Sequence, residues 1–88
     1  MAIDEGKISV GNKPLGDYLV STAILFNQGI RKVTLSGRGE NISKTVSLYN
    51  ALKDRMGDAI RLKDVRIGSE EIKGKIISFI EIDVERIY

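Results

Sequence analysis

The sequence contains no cysteine and no histidine. The first absence excludes disulfides, thiolate metal ligands and a thiol nucleophile, and the second removes the side chain that most often moves protons or binds metals near neutral pH. Together they weigh against an enzyme, and no cofactor or metal is expected. Long apolar runs are missing too: the longest, Leu19 to Phe26, is interrupted by Ser21 and Thr22 and is far too short to span a bilayer. Residues 1 to 8 lack the apolar core and cleavage site of a signal peptide, so a cytoplasmic location is expected. A strong charge of one sign is also absent, because the formal net charge is only +2.

What is present suits one small domain over residues 1–88 with a modest core, a size at which a partner chain often adds stability. Apolar residues make up 42% and charged residues 30%, a mixture that folds and dissolves. The charge is unevenly spread. Residues 79 to 88 hold Glu81, Asp83 and Glu85 against Arg86 alone, leaving 13 basic and 9 acidic groups in residues 1 to 78.

Lys7 to Val10 predicts a short strand, and Gly11-Asn12-Lys13-Pro14 supplies a turn and a proline suited to the first helical position. A helix to about Gln28 follows, stopped by Gly29. Its apolar residues form two stripes, Leu15, Leu19 and Phe26 with Tyr18 and Ala23, and Val20, Ile24 and Asn27, as expected for a helix buried by more than one layer. Arg31 to Ser36 alternates as a half-buried strand with Val33 and Leu35 inward. A second helix is expected from Asn41, as N-cap, to Met56. Ile42, Val46 and Tyr49 form one of its stripes, and Thr45, Leu48, Leu52 and Met56 an adjacent one, so that one can cover a sheet and the other meet a partner.

A third strand begins near Ala59, where the change of parity between Ile60/Leu62 and Val65/Ile67 predicts a bulge near Lys63-Asp64. Ser69 to Gly74 reads as a hairpin tip. The last strand, Lys75 to Arg86, places Ile76, Ile80, Ile82 and Val84 on one face and Ile77 and Phe79 on the other. The order β-α-β-α-β-β implies an α/β sandwich, an α+β arrangement of two helices on one face of a four-stranded mixed sheet.

Gly37-Arg38-Gly39-Glu40-Asn41-Ile42 begins like G-x-G-x-x-G but has Ile42 for the third glycine, and the chain is too short for a paired dinucleotide fold. What remains is a strand-to-helix turn where backbone N–H groups, Arg38 and a helix N-terminus can meet an anion such as phosphate. The plain alternative is a turn only, with Glu40 already satisfying the helix dipole. Lys13 repeats the arrangement before the first helix, and both loops follow strands, so they can share one surface. Lys73 and Lys75 flank Gly74 at the hairpin tip, where they can reach along a groove or discourage edge-to-edge pairing.

V-G-N-K-P before the first helix, L-F-N-Q-G at its end, G-R-G-x-x-I-S-K at the second helix start and I-G-S-E after the third strand resemble the Alba family from about Lys7 to Arg86. The resemblance implies the same fold, a homodimer, and binding of double-stranded DNA, with RNA also bound by many members. It implies contact roles for Lys13, Arg38 and Lys44, with Asn12 and Tyr18 beside them, and an arm role for the hairpin bearing Lys73 and Lys75. Asn12 and Glu40 stand where the family often has basic residues, and the hairpin is shorter, features that resemble the second archaeal paralogue. The function expected is sequence-independent binding and packaging of nucleic acid on the chromosome, with phosphates neutralised rather than bases read. Two alternatives stay open: a structural subunit acting mainly through mixed dimers with another Alba-type chain, and a protein that binds RNA first.

Overall fold

In a computed structural model, which describes residues 5–87, β1 (Glu5–Ser9) leads into α1 (Leu15–Asn27). Positions 1–4 and 88 of the expected 1–88 domain lie outside the described residues. Pro14 caps α1 rather than opening it: its carbonyl accepts the Asp17 N–H at 3.0 Å, and its φ of −58° already suits the helix. At the far end Gly29 takes φ +91°, a conformation open to glycine, and turns the chain back. There follow β2 (Lys32–Arg38), a 3-10 turn over Gly39–Asn41, α2 (Ile42–Met56), a second such turn over Gly57–Ala59, β3 (Ile60–Ile72) and β4 (Lys75–Arg86).

The strands lie in the order β1-β2-β4-β3, with β1 parallel to β2 and the other pairs antiparallel, so the sheet is mixed as expected. Both helices cover one face. Val33 and Leu35 of β2, Ile60 of β3 and Ile80, Ile82 and Val84 of β4 are buried there against Leu48 and Leu52 of α2 and Tyr18 and Phe26 of α1. Alternation along the strands marks every one of these strand positions.

The helices depart from expectation in instructive ways. Thr22, not part of either expected stripe, is fully buried in α1; its hydroxyl donates to the Tyr18 carbonyl at 2.8 Å, which satisfies the polar atom and leaves the methyl group to pack. Val20 and Ile24 are exposed, so within one chain α1 is covered from one side only. In α2, Thr45, Leu48 and Leu52 face the sheet, while Val46 of the other stripe stays exposed. Asn41 stands at the cap position without a side-chain bond; its carbonyl instead accepts the Thr45 hydroxyl at 2.8 Å.

The bulge falls where parity predicts it, with Lys63 skipped between the pairs Leu62–Val84 and Asp64–Asp83. The hairpin tip is tighter than expected, because Ser69 to Ile72 still pair with Ser78 to Lys75 and only Lys73 and Gly74 turn. Both have positive φ, +50° and +78°, as a two-residue turn matched to strand twist requires. Ile76 keeps the expected face but is 77% exposed, since the helices do not reach it; Leu62, Val65 and Ile67 are open on the same face. Ile77 and Phe79, on the other face, are half-buried, and the Phe79 ring lies over Gly68 opposite it, where a methyl group would come within 2.9 Å.

Beyond Ile77 and Phe79, the face away from the helices carries ion pairs. Arg66 holds the buried Asp83 with two bonds, at 2.8 and 3.0 Å, and the Thr34 hydroxyl donates to the same carboxylate at 2.7 Å. The Arg66 guanidinium, helped by Thr34, lowers the Asp83 pKa to about 2. A carboxyl whose folded pKa lies below its unfolded value stabilises the protein above pH ~4, and the contribution is lost as pH falls from about 4 towards 2. Asp83→Asn should therefore cost about 2 kcal/mol at pH 7 and much less at pH 2.5. Urea unfolding at both pH values measures this, and an equal loss at both would contradict it.

Candidate nucleic-acid interface

Because β1 and β2 are parallel, the loops that follow them leave the sheet at the same end. β4 runs against β2 with Phe79 opposite Arg38, so the β3–β4 hairpin extends beyond that end by four more pairs, roughly 13 Å. The three basic segments marked in the sequence are thereby gathered at one end of the molecule: Asn12 and Lys13, Arg38 and Lys44, and Lys73 and Lys75.

The first loop is held from within. Tyr18 is buried beneath it, and its hydroxyl accepts the N–H groups of Gly11 at 2.8 Å and Lys13 at 3.2 Å. Lys44, on the first turn of α2, donates its ammonium to the carbonyls of Gly11, at 2.9 Å, and Lys13, and stands 5.6 Å from the centre of the Tyr18 ring. Asn12 and Lys13 are left exposed on the outer side. Tyr18 is thus buried and Lys44 half-buried on the inner side of this loop.

The second loop depends on close approach. Gly37 is buried against α2, where a methyl group would stand 2.0 Å from the Thr45 hydroxyl oxygen and 2.7 Å from the Asn41 carbonyl. Gly39 turns the chain at φ +56°. Arg38 between them is exposed and pairs with Glu70 of β3 at 3.2 Å, while Glu40 is exposed in the following turn. A shallow polar depression of about 140 Å³ lies between β1 and β2, lined by Lys7, Ser9, Ser36, Arg38 and Asn41 among others.

Lys73 and Lys75 are exposed at the hairpin tip. Sequence reasoning misses Glu70 and Lys7. Glu70 lies in the I-G-S-E stretch, yet its nearness to Arg38 depends on the register of three strands, which no local pattern reveals. Among the described residues no group of three or more acidic side chains could hold a metal, and no helix is long and apolar enough to cross a membrane.

Comparison with known proteins bears on this surface. The sequence model described as Alba matches residues 6–69. The chain is 45% identical over 76 residues to DNA/RNA-binding protein Alba 2 of Saccharolobus solfataricus, covering 86% of this chain and 85% of that one. It is 38% identical over 72 residues to DNA/RNA-binding protein Alba of Pyrobaculum islandicum, covering 81% and 78%. Among solved structures, Alba from Thermoplasma volcanium superposes with a TM-score of 0.85 at 27% identity, over 91% of this chain and 99% of that one.

Proposed function

Since the chain belongs to the Alba family, we propose that it is a nucleic-acid-binding protein that coats and packages double-stranded DNA, and binds RNA, without regard to base sequence and without catalysis. The observation that carries this reading is the gathering of all three basic segments at one end of the sheet. Asn12, Lys13, Arg38, Lys73 and Lys75 meet the sugar-phosphate backbone, with Tyr18 and Lys44 directly behind them, and residues 1–88 form a single binding domain associated with the chromosome. Lys and Arg neutralise phosphates and release counterions rather than read bases. The names of the Saccharolobus and Pyrobaculum relatives support both DNA and RNA as ligands. Competition of duplex DNA against structured RNA at physiological salt tests the order of preference.

The protein acts as a homodimer in this reading. Leu62, Val65 and Ile67 of β3 form an exposed apolar strip on the face that the helices partly cover, and Ile76 of β4 is exposed beyond Ser69 and Ser78 on the same face; exposed apolar surface of this kind marks association. The same strip favours a second reading, mixed dimers with another Alba-type chain. Nucleic-acid binding by the purified homodimer, measured against salt, separates the two.

Around Arg38 the charges have opposing effects. Arg38→Ala should weaken binding and flatten its salt dependence by about one charge for each phosphate no longer neutralised, whereas Glu40→Arg should tighten binding and steepen it. Glu70→Gln should also tighten binding, because the Glu70 carboxylate competes with phosphate for Arg38. Fluorescence anisotropy at several salt concentrations gives the three signs. Equal binding by all three variants would remove this loop from the interface.

A further inference from the structure

We propose that Tyr18 and Lys44 act as positioning residues: a clamp that fixes the backbone of residues 11–13 so that Lys13 and Asn12 are presented to phosphate already ordered. The inference rests on the nucleic-acid reading and deepens it, because it removes Lys44 from the phosphate contacts and gives the ammonium a different task.

The polar groups of this loop are engaged from below by two side chains on different helices. The Tyr18 hydroxyl oxygen takes both inward N–H groups, of Gly11 and Lys13, and the Lys44 ammonium takes both carbonyls of the same two residues. The aromatic ring is buried in the core, so the hydroxyl is a fixed point rather than a mobile one. Lys44 lies within cation–π reach of that ring, 5.6 Å from its centre, which couples the two halves of the clamp. An ammonium has three donors, and two of them are directed at carbonyls of the loop.

The energetic consequence concerns order more than charge. A loop that must be arrested at the moment of binding costs affinity, and one arrested beforehand does not. Lys13 is exposed beside a backbone already bound at residues 11 and 13, so only its own side chain remains to be ordered. Lys44 also ties α2 to the segment before α1, linking the loop that carries Arg38 to the one that carries Lys13. The two basic loops are then presented at a fixed spacing to a backbone whose phosphates are themselves regularly spaced.

The test is a double-mutant cycle on the full chain, with a random-sequence DNA duplex as probe. Lys44→Gln should weaken binding roughly three- to tenfold in the parent. In a Lys13→Ala background it should weaken binding less than about twofold, since there is no longer a lysine to position. Tyr18→Phe removes only the hydroxyl acceptor; it should speed amide hydrogen exchange at Gly11 and Lys13 by about tenfold or more while exchange in β2 and β4 stays unchanged. Additive effects of Lys44→Gln and Lys13→Ala, each lowering the salt slope by about 0.9, would make Lys44 an independent phosphate contact and overturn the clamp. Unchanged exchange in Tyr18→Phe would overturn it as well. If the parent binds neither duplex nor RNA, the functional reading itself fails, an outcome distinct from either of these.

Discussion

Replacing Gly37 by alanine should destabilise the protein by about 3 kcal/mol, the upper range for forcing a methyl group into a packed interior. The added carbon would stand 2.0 Å from the Thr45 hydroxyl oxygen, 2.7 Å from the Asn41 carbonyl and 3.0 Å from Thr45 Cβ. Two of these neighbours cannot rotate away, because one is backbone and one is fixed to a buried helix. Relief therefore requires α2 to lift from β2, which opens the core at Leu48 and Leu52 and displaces the Arg38 loop together with it. Thr45→Ala in the same chain should recover only part of the loss, since it removes the closest atom and leaves the other two. Gly16→Ala, in α1 where nothing lies within 4 Å, should be neutral or slightly stabilising and serves as the control. Urea unfolding of the four proteins reads this directly. Parent-like stability in Gly37→Ala would mean that the helix does not sit this close to the strand.

Ile67→Asp should convert the proposed homodimer to monomer at micromolar concentration. Ile67 is 78% exposed in the single chain and lies in the strip with Leu62 and Val65, so a carboxylate there would be desolvated in a dimer joined at this face but not in a monomer. The fold should survive, because the position is open to water before association. Sedimentation should show one species of about 9.7 kDa. Binding to long duplexes should fall by one to several orders of magnitude, more than from any one charge variant, because two linked sites become one. A variant that remains dimeric would locate the interface elsewhere, with the exposed Val20 and Ile24 of α1 the next place to test.

Much of the fold is legible in the sequence because it is governed by local periodicity. Alternation in β2 and β4 assigns the core face, and the change of parity after Leu62 announces the bulge. The less legible features arise where distant segments meet. Thr22 is buried although polar because its hydroxyl finds a carbonyl one helical turn back, and Ile76 is exposed although apolar because the helices end short of it. The hairpin tip is narrower than its Ser, Glu and Gly content suggests, since strand pairing continues to the last two residues before reversal.

The candidate interface divides in the same way. Lys13 and Arg38 can be placed from the turn chemistry of strand-to-helix junctions, and parallel pairing of β1 with β2 brings their loops together. The inward task of Lys44 cannot be read, because its partners lie 31 and 33 residues away and are backbone carbonyls, which leave no trace in side-chain identity. Glu70, 32 residues from Arg38, is hidden for a similar reason.

The central claim is that phosphate, not base sequence, supplies the affinity of this end of the sheet. The most direct test is to measure the binding constant as a function of salt for several duplexes of unrelated sequence. The lines of log K against log salt should fall steeply and coincide within a few-fold, with a slope approaching about −7 if four cations from each chain of a dimer contact phosphate. A slope near zero, or preference for one duplex by orders of magnitude, would contradict it.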